Sequence, residues 1–323
     1  MQYQPRNRRR SRRRRVRWGR LIVALAGLAA AVFGLAKLIG YGIDWMVSRQ
    51  TAREMRDVYY AEPTPAPIAA TAAPTEAPTE APTAVPAPSA APTASPVPTQ
   101  SPIPRLPAAA YPNNPKAEIS SRFRKLRKES KYIVGWLTIN RLLDEPVVQR
   151  DNVYFLDHDA KGKENVNGAL FLDSGIPLKS RPYTYIIYGH NMKSGAMFGS
   201  LRNYENRAYY HKDPFVTFDT MYEEGRYVIF AVSTVSTEEG SRNYVDFYAL
   251  KSADIAGRQK AIDALISASV HTCTIDVQPE DQLLVLVTCV DKDEERRVVA
   301  ARRIRDGEDE KELKMQVERS RKR

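Results

Sequence analysis

Residues 63–115 hold sixteen of the chain's 22 prolines, set among Ala, Thr and Ser as in APTEAPTEAPTAVPAPSAAPTASPVPT. Proline has no amide donor and a fixed φ, so such a run can build neither a helix interior nor a central strand. It therefore divides the 323-residue chain, and each side must be considered separately. The composition favours an extended, disordered linker at about 3.1 Å per residue, so some fifty residues reach on the order of 150 Å. Residues 44–115 accordingly read as a stalk, Pro/Ala/Thr-rich from 63.

On the N-terminal side, the first twenty residues contain ten arginines and no acid, so the rest of the chain is close to neutral despite a net charge of +11. A basic run of this kind can be a nucleic-acid arm. Here it stops at Arg20, where LIVALAGLAAAVFGLAKLIGYGI begins, residues 21–43 with Lys37 as their single charge. That is long enough to cross a hydrocarbon core as a helix. Trp18, Tyr41 and Trp45 stand where interfacial aromatics belong, and the arginines place residues 1–20 in the cytoplasm. A cleaved signal peptide is the rival, but it would have a shorter apolar core and a small-residue cleavage site. The expectation is a single-pass membrane protein whose remaining residues face the outside, with no nucleic-acid partner.

Residues 116–305 have the size and patterning of one domain, and 306–323, DGEDEKELKMQVERSRKR, read as a solvated charged tail. Ile119, Phe123 and Leu126 recur at helical spacing. Strand-like runs follow: YIVGWLTI, GALFLD, YTYIIYG, PFVTF, RYVIFAVSTVS, VDFYAL, QLLVLVTC and RRVVAARRI. One late helix is expected over about 252–269, with Ile255, Ile262, Leu265 and Ile266 on one face and Ser252 as its N-cap. Many short strands and few helices predict a mainly β barrel or sandwich.

Two places could carry chemistry. His190 stands at the mouth of a strand in YTYIIYGHNMKSGAMFG, behind a glycine and beside an amide. Cys289 ends the apolar run DQLLVLVTC, and after the polar turn VDKDEE the chain re-enters a strand at Arg296 and Arg297. A hairpin of this shape brings a thiol near a guanidinium, which favours the nucleophilic thiolate and can bind an oxyanion. A histidine able to protonate a leaving amine completes the parts of covalent acyl transfer. Taken singly, each residue also fits a structural role, and a disulfide between Cys273 and Cys289 is compatible with an oxidising compartment. Cys273, His158, His211 and His271 lack comparable contexts and read as structural. No spacing suits a metal.

Together the pieces resemble the sortases, and class B among them. The resemblance spans about 119–304 and rests on DNVYFLDHDAKGKENVNGALFLD, on YIIYGHNMKSGAMFGSLRNYENRAYYHKDPFVTF, and on DQLLVLVTC followed by RRVVAARRI. It implies a closed β-barrel with an N-terminal helix and a long helix between the last barrel strands. It further implies a cysteine transpeptidase without cofactors, in which Cys289 is the nucleophile, His190 the acid and base, and Arg296 the oxyanion ligand, with Arg297 as the alternate. Asn152, Leu156, Tyr188 and Thr288 would contact substrate. Val287 and Val290 depart from the class B pattern. The implied partners are secreted proteins bearing a C-terminal sorting signal of Asn-Pro-x-Thr type, and an amine of the lipid-linked cell-wall precursor. A pilin-polymerising sortase and a non-enzymatic, stalked wall-binding module are the alternatives. Papain-like wall hydrolases place Cys before His, opposite to the order here.

Overall fold

Runs rich in β-branched and aromatic residues form eight strands. These are β1 (Ile133–Ile139), β2 (Leu143–Val148), β3 (Leu170–Leu172), β4 (Thr184–Tyr188), β5 (Phe215–Thr220), β6 (Arg226–Ser236), β7 (Leu283–Cys289) and β8 (Glu295–Arg303). In this computed structural model they close into a barrel in the order β1-β2-β3-β4-β7-β8-β6-β5. The structure describes residues 18–61, 106–107, 109–140, 142–289 and 295–323. The arginine-rich tail up to residue 17, most of the proline-rich segment and the turn 290–294 lie outside the described residues, and Cys289 is described through its backbone. Residues up to Arg49 form one unit and Gln50–Arg323 another.

Leu283 to Val287 of β7 are buried throughout, although strand side chains alternate between faces. One face fills the barrel, and the other is covered from outside, where Thr184 of β4, the partner of Leu283, bonds the Leu250 carbonyl. This double burial explains why β7 reads as a continuous apolar run and shows no alternation. Most pairings are antiparallel, but β2 with β3 and β4 with β7 are parallel. β2 was not among the expected strands, and it contains Pro146, a residue that disfavours a central strand. The β3 ladder reaches only Val147↔Leu170, so no partner on that side requires a donor from Pro146.

The helices are α1 (Trp18–Tyr60), α2 (Ser121–Glu129), α3 (Arg207–Lys212), α4 (Phe247–Lys251), α5 (Ile255–Ser267) and α6 (Glu310–Glu318). The segment VDFYAL, expected as a strand, supplies α4, because the Asp246 carboxylate caps it by accepting from the amides of Tyr248 and Ala249. The late helix, α5, is shorter than expected and is capped by Asp254 rather than Ser252. Ser252 instead accepts from the Asp254 amide and closes the end of α4. Arg258 fixes α5 to the barrel. It is fully buried and donates to the Pro279 and Asp281 carbonyls and to Thr184 Oγ1 at 2.7, 2.9 and 2.9 Å, and to the Leu250 carbonyl. Burial pulls its pKa down to about 10.

Two expected boundaries are corrected. Residues 306–323 are not a solvated tail: Leu313 and Val317, one helical turn apart, are buried as α6 packs on α3. The final residues bond back to the domain, the Thr272 amide donating to the Arg321 carbonyl at 2.7 Å and the Arg323 amide to the Val270 carbonyl at 2.9 Å. Heavy charge masked this apolar pair in the sequence. The second correction is at the stalk. α1, long and apolar enough to cross a membrane, continues past Ile43 to Tyr60. Its last turns, from Gln50, belong to the barrel unit. Chain also rejoins that unit before residue 116, since the Leu106 amide bonds the Ala253 carbonyl at 2.8 Å and Tyr111 is buried. The described residues on both sides of the proline-rich segment thus belong to one unit.

Ala52, Met55 and Tyr59 recur at helical spacing and form the buried stripe that holds α1 to the barrel. Tyr59 stacks on Trp136 of β1 with ring centroids 4.4 Å apart, and its hydroxyl donates to the Asp219 carboxylate. Burial pushes the Asp219 carboxyl up, opposed by this bond and by the Gly225 amide. Arg56 pairs with Asp144, which also accepts from Trp136 Nε1 at 2.6 Å. Tyr59→Ala should destabilise the barrel unit by about 3–5 kcal/mol through the lost ring and the cavity. Tyr59→Phe, which keeps the ring but takes a donor from the buried Asp219 carboxylate, should cost about 1.5–3 kcal/mol. Denaturant unfolding of the full chain in detergent, followed by tryptophan fluorescence, checks both values.

Candidate active site

The parallel pairing of β4 with β7 ends at Tyr188↔Val287. His190 lies two residues beyond the first of this pair and Cys289 two beyond the second, so both leave the barrel at the same end. Across the antiparallel pairing of β7 with β8, Cys289 stands opposite Arg296, and Thr288 opposite Arg297. Cross-strand partners share a face and neighbours alternate. Cys289 and Arg296 therefore occupy one face, with Tyr188 alongside, and Thr288 and Arg297 occupy the other.

Local sequence dictates how the histidine is held. A Cβ at Gly189 would stand 2.5 Å from Leu170 Cδ2 and 2.9 Å from the Phe198 ring, so any larger residue would have to displace both side chains beside the histidine. The His190 carbonyl accepts from the Phe198 amide at 3.0 Å, and Asn191 bridges Met197. The turn between them closes tightly enough that Gly199 packs against the Met192 backbone, leaving no room for a side chain. His190 Nε2 lies 2.6 Å from the carbonyl of Leu156, in the 3-10 turn Tyr154–Leu156. A carbonyl can only accept, so Nε2 carries a proton and Nδ1 is the nitrogen open to exchange.

Two residues before the histidine, Tyr188 donates from its hydroxyl to Asp173 Oδ2 at 3.1 Å. Burial, then Asp173, pushes the phenol well above its ordinary range, and the charge of Arg296 opposes this. Asp173 is itself buried and pairs with Lys251 Nζ of α4 at 3.0 Å. Arg297 is engaged elsewhere, donating from Nε to Glu205 Oε1 at 2.7 Å. The sequence reading named neither Asp173 nor Glu205. Asp173 carries a turn signal, accepting from the Gly175 amide at 2.8 Å, but Glu205 is one acid among many in its stretch.

The remaining expected residues separate. Asn152 is exposed and accepts from the Ser174 amide at 2.8 Å, beside Asp173. Leu156 is 41% exposed, and Val153 and Val166 near it in sequence are also open to solvent, so this loop offers apolar surface near the imidazole. Thr288 is not on that surface: it is buried on the Arg297 face, with no partner for its hydroxyl among the described residues. Cys273 is a free thiol bonded to the Ile275 carbonyl, and burial raises its pKa. His158 stacks on Tyr154, and His211 bonds Ser320. A polar cavity of about 730 Å³ lined by Tyr111, Arg181, Glu223 and Arg303 sits where β4 and β7 begin, at the other end of those strands from His190.

A barrel that gathers a strand-ending cysteine, a cross-strand arginine and a fixed imidazole at one edge has close counterparts. The model of the family described as the sortase domain matches residues 137–304. Sortase B of Listeria monocytogenes is 31% identical over 192 residues, 58% of this chain and 75% of that protein. Sortase B of Staphylococcus aureus in a substrate complex has a TM-score of 0.53 at 26% identity, covering 59% of this chain and 88% of its own. Sortase B from Bacillus anthracis shares the fold, with a TM-score of 0.57 at 22% identity over 81% of this chain and 99% of that one. The chain belongs to the sortase family of cysteine transpeptidases, on the class B branch.

His271 is buried, stacks on Tyr210 and bonds the Tyr204 carbonyl at 2.7 Å. Burial lowers its pKa below the usual histidine range. The unfolded chain therefore takes up a proton first as pH falls through about 6.5, and stability is lost from there down through the lower folded-state value. The melting temperature should fall between pH 7.5 and pH 5.5, and His271→Gln should flatten that dependence.

Proposed function

We propose that this sortase cleaves a C-terminal sorting signal of Asn-Pro-x-Thr type on secreted proteins and joins the cleaved end to an amine of the cell-wall precursor. Cys289 attacks the threonine carbonyl, Arg296 holds the oxyanion, and His190 protonates the departing amine through Nδ1 while Leu156 retains the Nε2 proton. The resulting thioester is resolved by the incoming amine, whose proton His190 removes. Atoms balance without a cofactor: the peptide C–N bond breaks, a C–S bond forms, and the second amine reverses that exchange.

The observation that carries this reading is the strand register: two pairings set the backbones of residues 190, 289 and 296 at one barrel edge. Arg296 is favoured over Arg297 because it stands opposite Cys289, whereas Arg297 is bound to Glu205 on the other face. Asn152 and the exposed side chain of Leu156 supply the signal-binding surface, and Tyr188 sets the position of that wall through Asp173. The burial of Thr288 favours a packing role over contact with substrate. Anchoring is assigned to the apolar part of α1, with the arginine-rich tail in the cytoplasm and the barrel outside the cell.

The test is a panel of five-residue sorting peptides incubated with the full chain, with the cleaved peptide identified by mass. Cys289→Ala should abolish cleavage and Cys273→Ala should leave it intact. Arg296→Ala should lower kcat/KM by about 10²–10³, the usual cost of an oxyanion donor, while Arg297→Ala should change it by less than about tenfold. Cleavage retained by Cys289→Ala would reject the assignment.

A further inference from the structure

Beside the end of the 3-10 segment Phe198–Glu205, α3 and the chain's last residues enclose an open cleft of about 840 Å³, lined by Arg202, Glu205, Arg207, His211 and Lys322. The folded C-terminus builds one side of it. The bridge His271↔Lys322 and the bond from the Arg321 amide to Thr272 Oγ1, 2.8 Å, bring Lys322 to the edge.

Beyond the arginine-rich tail the chain is close to neutral, and many of the domain's cations are paired, as Arg226 is with Glu310, Arg302 with Glu308 and Arg305 with Asp281. The cleft departs from this pattern. Its single lining carboxylate, Glu205, is already taken by Arg297 at 2.7 Å. Arg207 and Lys322 have no ion-pair partner among the described residues. Arg202 donates only to a neutral carbonyl, that of Lys193, at 3.1 Å. The field reaches the interior: after burial itself, the charges of His211, Lys322 and Arg207 help to lower the pKa of His271.

We infer that this cleft is a binding site for a phosphate group. Two guanidinium forks and an ammonium around one opening match a tetrahedral anion with several acceptor oxygens and up to two charges. A carboxylate would neutralise only one of the three cations. The site is also joined to the catalytic strand, since Glu205 links the cleft to Arg297, the neighbour of Arg296 on β8. The phosphate site does not rest on the proposed function.

The experiment uses the full chain in non-ionic micelles and reads the imidazole nitrogen resonances of His211, a signal local to the cleft and blind to the arginine-rich tail. Pyrophosphate should shift them saturably, weakening with added salt, and acetate at equal ionic strength should not. Arg207→Glu with Lys322→Glu should weaken pyrophosphate at least tenfold while peptide cleavage stays unchanged. Should that pair fail to fold, the single neutral variants Arg207→Gln and Lys322→Gln should each weaken it severalfold. Two further titrations distinguish the source: a response to phosphatidylglycerol in the micelle points to a lipid headgroup, and one to a soluble glycerol-phosphate oligomer points to a wall polymer. No saturable shift with pyrophosphate, an equal response to acetate, or undiminished binding in the variants would overturn the site. Failure of the wild type to cut any sorting peptide would overturn the transpeptidation reading and leave the phosphate site standing.

Discussion

Everything at the active edge depends on the parallel pairing of β4 with β7. Parallel neighbours cannot be joined by a tight turn, so a long crossover must connect them. It runs through α3, the barrel strands β5 and β6, and then α4 and α5, and Arg258 fastens α5 to the entrances of both strands through several carbonyls. A slip of one residue would turn the whole apolar run of β7 inside out. Because Leu283–Val287 are buried on both faces, such a slip costs little in hydrophobicity alone. The buried guanidinium is what gives the pairing its specificity, because each displaced carbonyl would leave part of a charge unsatisfied in the interior.

The second organising principle is the use of strand alternation to give two adjacent arginines different roles. Arg296 and Arg297 carry the same charge one residue apart, yet one shares a face with Cys289 and Tyr188, and the other reaches Glu205 at the edge of the basic cleft. The same alternation buries Thr288 directly next to the cysteine. A short stretch of two strands thus addresses two environments on opposite sides of the barrel wall.

Much of this was legible beforehand, and the reasons differ by element. β4, β6, β7 and β8 announced themselves because buried strands need apolar, β-branched runs. The motif around His190 was legible because Gly199 is sterically compelled and Gly189 closely packed. What failed was decided by single side chains or by distant partners. Asp246 and Asp254 capped helices where a strand and a different cap were expected, and Pro146 entered a strand because its neighbour is short. The folding of the last residues and of Gln50–Tyr60 rests on two sparse stripes, Leu313 with Val317 and Met55 with Tyr59. Their value depends on tertiary surfaces that no local pattern records. Asp173 and Glu205 escaped notice for the same reason: a carboxylate becomes significant through what it faces.

Ala61 and Leu106, on either side of the proline-rich segment, belong to the same unit. Closing a chain between fixed ends becomes costlier only logarithmically with its length, at about 0.6 kcal/mol per doubling. Evolution can therefore extend or trim this stretch, and alter its sequence, almost free of thermodynamic consequence for the barrel. A region so weakly coupled to the enzyme's stability is where a lineage can adjust to its particular envelope while the chemistry stays fixed.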